Sequence, residues 1–272
     1  MPPEGAARRT PVLTFAHLAA LPGLAHAVST RAGGVSAGPF AALNLGLHVG
    51  DDPAAVLENR ARLCATLGLS LEDIVVGAQV HGGEVAVVGR ADRGRGARDH
   101  ADAVPGVDAL VNDAPGVGLL VLAADCVPLV LVDPVRGAVG VAHAGWRGVA
   151  VGVAGRAVGA MAAAFGCAPR DLRAGIGPAI GAADYVVGPD VVAALGRGWG
   201  AAAGAWLGAD AAGRRTLDLA GAVRDQLVGA GLDARHVATM PHSTAADTAR
   251  FYSHRAEGGR TGRLGALVAL RR

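Results

Sequence analysis

The sequence predicts an α/β domain with a mixed β-sheet, on three observations. Short apolar runs of strand length recur along the chain and alternate with segments of helical apolar spacing. Several of these runs are joined by turns too short to carry a parallel crossover, which argues against a doubly wound parallel sheet. The 272 residues are 51% hydrophobic, enough to bury a sizeable core, and with aromatics at 3% that core must be built mainly from Ala, Val and Leu.

Along the chain, residues 1–10 read as a flexible tail and 11–272 as a single domain. Arg8-Arg9 followed by PVLTFAHLAALPGLAHA loosely imitates a secretory leader, but Pro11, His17 and Pro22 interrupt its apolar part, so the stretch is read as fold. Ala25–Ser29 is a strand. Asp52 caps a helix with Pro53 at its first position, and the spacing Val56, Leu63, Leu67 runs to a stop at Gly68. Ile74–Val80 and Val85–Val88 are expected to pair as strands around HGGE. The polar stretch Arg90–Asp102, RADRGRGARDHAD, reads as an exposed insertion between strands. Asp108–Val111, Gly118–Ala123, Leu129–Val132 and Ala138–Ala142 are four more strands, with DPVRG as the turn between the last two. Gly148–Phe165 reads as one long Ala- and Gly-rich helix that must pack closely. Leu172–Ile176 is a strand, Pro189–Leu195 and Leu217–Leu227 are helices, and Leu264–Leu270 is a closing strand.

Composition narrows the function classes. A net charge of +2 with no basic run implies neither nucleic acid nor a membrane surface as partner, and no obligate protein partner is evident. All 25 basic residues are arginine, which excludes a Schiff-base lysine and a lysine-bearing phosphate loop. No GxGxxG opens a helix after a strand, so a dinucleotide site is not indicated. The longest apolar run, VGLLVLAADCVPLVLV, is broken by Asp125 and Pro128 and is shorter than the ~20 residues of a membrane span. Cys64, Cys126 and Cys167 are odd in number and widely spaced, which fits a reducing cytoplasm better than a secreted disulfide framework.

Three apolar strands end in a metal-type ligand: QVHGGE at His81, LAADCVP at Cys126 and VAHAGWRG at His143. Two imidazoles and a thiolate form a catalytic zinc set with its fourth position open. Each also has a plainer reading: a strand-end histidine is often a hydrogen-bonded structural residue, and a free cysteine is among the most buried residue types. A third chemistry is a cysteine hydrolase in which Cys126 is the nucleophile and His143 or His81 the base. Asp125 is the adjacent carboxylate for proton transfer, provided the strand has ended before it, since neighbouring strand residues face opposite sides. In STRAGGVSAGPFAALNLGLHVGDD, Arg31 and nearby amides suit an oxyanion, or form a Gly/Ser connection with a surface arginine. Asn44, His48 and Asp51 are candidate site residues or turn residues, with Asp52 the cap. Arg147 beside Trp146 suits a planar or anionic ligand, or serves the fold alone. FYSHRAEGGRTGR, with His254, lines the pocket or lies exposed. Cys64 and Cys167 read as structural.

The combination of STRAGGVS, LNLGLHVGDD, QVHG, DALV, ADCVP, HAGWRG, GIGP and the late RAEGGRTGR resembles the bacterial polyphenol oxidase/laccase-domain family, also described as multifunctional purine nucleoside phosphorylases and peptidoglycan-editing factors. The resemblance runs from about Ala25 to the end of the chain. It implies a central β-sandwich flanked by helices and a zinc-type metal on His81, Cys126 and His143. It also implies phosphorolysis of adenosine, inosine, guanosine and methylthioadenosine, and hydrolytic deamination of adenosine. Arg31, Asn44, His48 and Arg147 are the positions expected to hold nucleoside and phosphate. Copper is the alternative metal, since blue-copper sites also use two His and one Cys, and phenol oxidation is then the alternative activity. The nine histidines contain no HxH pair of the kind a multicopper oxidase would need. The chain departs from the family where it reads GIGPAIGAADYVVG and PHSTA, positions at which members often carry cysteine.

Overall fold

The computed structural model describes residues 10–271. The expected N-terminal tail lies outside the described residues except for Thr10, which is buried. The elements in chain order are β1 (Val12–Leu13), α1 (Ala16–Ala19), β2 (Leu24–Ser29), α2 (Pro53–Thr66), β3 (Ile74–Val76), β4 (Val85–Val87), β5 (Ala109–Asn112), β6 (Gly118–Ala123), β7 (Val127–Asp133), β8 (Ala138–Ala144), α3 (Trp146–Ala150), α4 (Val153–Phe165), β9 (Arg173–Ile176), α5 (Pro189–Trp199), β10 (Leu207–Ala209), β11 (Arg215–Leu217), α6 (Leu219–Gly229), β12 (Val237–Thr239) and β13 (Leu264–Leu270). A five-stranded sheet runs β1-β2-β13-β6-β3 and a six-stranded sheet runs β12-β9-β7-β8-β5-β4, with β10-β11 apart. Both large sheets mix parallel and antiparallel pairs.

Strand alternation assigns the two faces of each sheet. Leu119, Val121, Ala266 and Val268 of the first sheet meet Leu110, Val130, Val139 and Val141 of the second in one buried cluster between the sheets. The opposite face of the first sheet, with Ile74, Leu120, Leu122 and Leu267, packs on Leu63 and Cys64 of α2. The opposite face of the second, with Leu129, Leu131, Ala142 and Ile176, packs on α4 and α6 through Ala157, Met161, Val223 and Leu227. The result is a β-sandwich with helices outside it, as the family resemblance implies. No helix among the described residues is long and apolar enough to cross a membrane.

The Asp52 cap accepts from the Ala54 amide as expected, at 3.0 Å. Three expectations change. The segments around HGGE do not pair: β3 joins β6 in the first sheet while β4 joins β5 in the second, so this connection crosses from one sheet to the other. The helix expected over 148–165 is two helices, because Gly152 takes a left-handed φ of 78°. The Val149 carbonyl near that break accepts from Trp199 Nε1 at 2.9 Å and Gln226 Nε2 at 2.8 Å, so the interruption is satisfied by tertiary contacts. Leu217 closes the β10-β11 hairpin, and the helix placed from 217 begins at Leu219 behind an Asp218 cap.

Candidate active site

His143 ends the row Val139–Val141 on the inter-sheet face of β8, where the strand runs out into Gly145 and α3. Cys126 lies in the short β6–β7 connection, one residue after Asp125, whose φ is 85°. The strand has therefore ended before Asp125, and both side chains line one cavity. His81 sits on the crossing from β3 to β4 with φ 61°. Among the described residues, His81 and Asp125 are the two non-glycine positions in the left-handed region, and both are here. One ligand atom each from His81, Cys126 and His143 lies within 4.8 Å of the others. The imidazole rings meet edge to face, 4.7 Å apart. His143 is buried, Cys126 half-buried and His81 exposed.

Asp108 organises this cluster. Its buried carboxylate accepts from the Val80, His81 and Gly82 amides at 3.2, 2.9 and 2.6 Å, which fixes the left-handed turn at His81. It also lies 2.8 Å from His143 Nδ1, which directs the other ring nitrogen at the cluster. Burial alone would push this carboxyl up; the His143 and backbone donors outweigh it and hold it below the usual range. Burial likewise opposes ionisation of Cys126, but the His143 charge and hydrogen bonds from both imidazoles pull its thiol down to about 6. His143 is raised to about 9 against its desolvation by Cys126 and Asp108.

Whether these residues suit a metal is decided by the donor set. Two imidazoles and a thiol poised to ionise, with a carboxylate behind one imidazole, fit a borderline metal such as zinc, and copper takes the same ligands. Gly145 keeps the space open. A β-carbon there would stand 2.9 Å from Cys126 Sγ and 3.2 Å from His81 Cδ2. Its backbone, at φ −81° and ψ 174°, would accept alanine without strain. Gly145→Ala is therefore expected to lower zinc affinity by about tenfold or more, as disturbed ligand support does elsewhere, with little change in melting temperature. Competition against a chromogenic chelator measures this, and an unchanged affinity would show that the ligands have room to spare.

The cluster opens into a cavity of about 490 Å³ lined by Asp125, Trp146, Arg147, Tyr185, His254, Arg255 and Arg263 among others. Asp125 is the one carboxylate among these lining residues. Its two oxygens accept from Thr244 Oγ1 and the Arg255 amide, both at 2.6 Å. Arg147 stacks on Trp146 with its guanidinium carbon 4.3 Å from the ring centroid, and Arg255 lies 5.2 Å from that of Tyr185. His48 also lines the cavity.

Arg31 does not. Its guanidinium bonds the Ala41 and Thr248 carbonyls and Glu257, and so ties three loops together. Asn44 is fully buried outside the cavity, bonding Gly46, Asp51 and the Arg263 amide. Asp51 accepts from Ser36 and Asn44. The stretch expected as a bare exposed insertion carries His100 to the cavity wall and buries Ala97. The stretch FYSHRAEGGRTGR does line the pocket, through His254, Arg255 and Arg263, whereas the residue types of Asp108, His100 and Tyr185 give no sign of their place in the site. The signal for Asp108 is an acid set directly before the apolar strand ALV.

A model of the multi-copper polyphenol oxidoreductase laccase family matches residues 25–271. Purine nucleoside phosphorylase YlmD of Geobacillus stearothermophilus is 44% identical over 244 residues, covering 90% of this chain and 89% of that protein. Purine nucleoside phosphorylase of Deinococcus radiodurans is 44% identical over 250 residues, covering 91% and 89%. The crystal structure of YlmD from Geobacillus stearothermophilus superposes with a TM-score of 0.89 at 43% identity, over 93% of each chain.

Proposed function

This chain belongs to the multi-copper polyphenol oxidoreductase laccase family, and from that premise we propose that it is a zinc-dependent purine nucleoside enzyme. It phosphorolyses adenosine, inosine, guanosine and methylthioadenosine, and it deaminates adenosine hydrolytically. The observation that carries this reading is a three-donor cluster at the edge of a cavity whose lining is rich in arginine and aromatic rings. Relatives named as purine nucleoside phosphorylases support it.

His81, Cys126 and His143 would hold the zinc, which when bound supplies Lewis acidity for polarising substrate or water. The Trp146–Arg147 and Tyr185–Arg255 pairs present planar cationic faces suited to a purine. In phosphorolysis a phosphate oxygen bonds to C1′ as the C1′–N9 bond breaks; the base leaves with the proton that the phosphate gives up, and the sugar is released as its 1-phosphate. The cavity arginines offset the charge of the incoming phosphate, and positioning carries most of the rate. In deamination water adds at C6 and the amino group leaves as ammonia. Asp125, fixed by its two bonds, keeps a lone pair on each oxygen for moving the proton between them.

One observation favours a second reading. Without a metal, Cys126, His143 and Asp108 form a thiolate–imidazolium–carboxylate line, the arrangement of a cysteine hydrolase acting on an amide such as those of peptidoglycan precursors. With copper bound, the alternative is phenol oxidation, which among the described residues would have this single three-donor cluster to work with.

Incubating the purified zinc-loaded protein with adenosine, with and without phosphate, separates these readings. Inosine without phosphate, adenine only with phosphate, and hypoxanthine when both steps run are the expected products. An inert nucleoside mixture, with Cys126 freely alkylated in active metal-free protein, would favour the hydrolase.

A further inference from the structure

We propose that the flank of the cavity formed by His48, His100 and Arg263 is an anion subsite that binds the attacking phosphate. This rests on the phosphorylase reading and says where its second substrate sits. The three side chains come from three separate segments: the loop before α2, the polar stretch between β4 and β5, and the loop entering β13. The His48 and His100 rings stand 5.2 Å apart. Arg263 lines the same cavity, within electrostatic reach of His48, Cys126 and Asp125.

Two buried side chains build the flank. Asn44 accepts from the Gly46 amide at 2.9 Å and the Arg263 amide at 2.8 Å, which docks the loop entering β13 on the His48 loop. Arg60 donates to the Leu45 carbonyl at 2.7 Å and to the Gly96 and Ala97 carbonyls at 2.6 and 2.8 Å, which docks the His100 stretch on the same loop. Asn44 and Arg60 are 0% and 2% exposed, so these ties are part of the interior. A β-carbon at Gly46 would come within 2.8 Å of Arg263 Cγ, so that glycine leaves the arginine stem its place.

The anionic groups that act on Arg263 are Cys126, a ligand of the proposed metal centre, and Asp125, whose two oxygens are bonded to Thr244 and the Arg255 amide. Arg263 Nη1 donates to the Thr261 and Gly262 carbonyls, and no carboxylate of the described residues forms an ion pair with its guanidinium. Arg31, by contrast, is paired with Glu257 and Arg156 with Glu84. A half-buried guanidinium that lines a cavity and forms no ion pair of its own favours an anion there, and its fork suits a tetrahedral oxyanion. Desolvation, then the neighbouring Arg263 and His100, hold His48 down to about 4, so it meets an anion as a neutral N–H donor while Arg263 carries the charge. Elsewhere on the cavity wall, the Tyr185 ring faces the Arg255 guanidinium and the Trp146 ring faces that of Arg147. The metal-ligand cluster thus adjoins one flank suited to a planar group and another suited to an oxyanion, the two partners of a phosphorolysis.

Titration of inorganic phosphate into the zinc-loaded protein, followed by calorimetry, tests this directly. Arg263→Gln is expected to weaken phosphate binding by about tenfold or more, the loss expected for a charge-assisted contact. His100→Ala should weaken it by roughly threefold to tenfold. Arg170→Ala, which removes an equal charge from a side chain 83% exposed and outside the cavity, should leave it unchanged. His100 is itself exposed, so its variant decides the matter if Arg263→Gln fails to fold. Phosphate that binds all four proteins alike, or does not bind the parent at millimolar concentration, overturns the subsite. Phosphate binding that falls in the variants while the parent splits no purine nucleoside would uphold the subsite and defeat the phosphorylase reading. Phosphorolysis whose phosphate KM is the same in parent and variants would do the reverse.

Discussion

Cys126→Ala is expected to abolish zinc binding and to lower both phosphorolysis and deamination by roughly 10³-fold or more. Bound metal contributes several kcal/mol of charge stabilisation, and each 1.36 kcal/mol is about a factor of ten in rate. Removing the thiol takes away the one anionic donor in the cluster, leaving two imidazoles of which one is solvent-exposed. The fold should survive, because Cys126 sits in a connection between strands rather than in a packed interior row. Elemental analysis alongside the assay carries the information. A nucleophilic cysteine would also be needed for activity, but its loss would leave any bound metal in place, so full zinc occupancy in Cys126→Ala would refute the proposed centre.

Asp108→Asn should be the next most damaging change. The carboxylate serves three backbone amides and His143 Nδ1 at once. An asparagine keeps one acceptor oxygen and turns two N–H donors toward groups that are themselves donors. At least one buried amide, or His143, loses its partner, which costs about 1–3 kcal/mol per group. The left-handed turn at His81 loses its restraint, and His143 loses the bond that sets its ring orientation. Zinc affinity is expected to drop by about 10- to 100-fold. Chelator competition measures the affinity and denaturant unfolding the stability. Parent-like affinity would mean that His81 and His143 hold their places without Asp108.

The sequence makes some features visible and hides others for identifiable reasons. Strands β5 to β8 show as apolar runs closed by turn residues, and α2 announces itself through Asp52 and Pro53. His81, Cys126 and His143 are visible because each interrupts an apolar or glycine-rich run that has no need of it. Which sheet each strand joins is not local information. Ile74 and Val85 lie eleven residues apart, yet β3 and β4 pair in different sheets. The β10-β11 hairpin has too little apolar character in GADAAGRRTL to register as strand. The break at Gly152 is hidden because an Ala- and Gly-rich helix contains many glycines that do not break it. Arg31 stands beside glycines and serines that suit anion binding, but Glu257, distant in sequence, takes its charge. His100 lies in a stretch whose polarity suggests solvent, and the buried Arg60 that draws this stretch inward belongs to another element. Asp108 sits before its strand like any capping acid; only the meeting of β5 with the end of β8 and the His81 turn shows what its carboxylate serves.

The most direct test of the central claim removes zinc by chelation, restores it in graded amounts and follows phosphate-dependent cleavage of inosine. Turnover should rise in proportion to zinc bound, reach its plateau at one ion per chain and vanish in the stripped protein. Full turnover in protein shown to be free of metal would contradict the account.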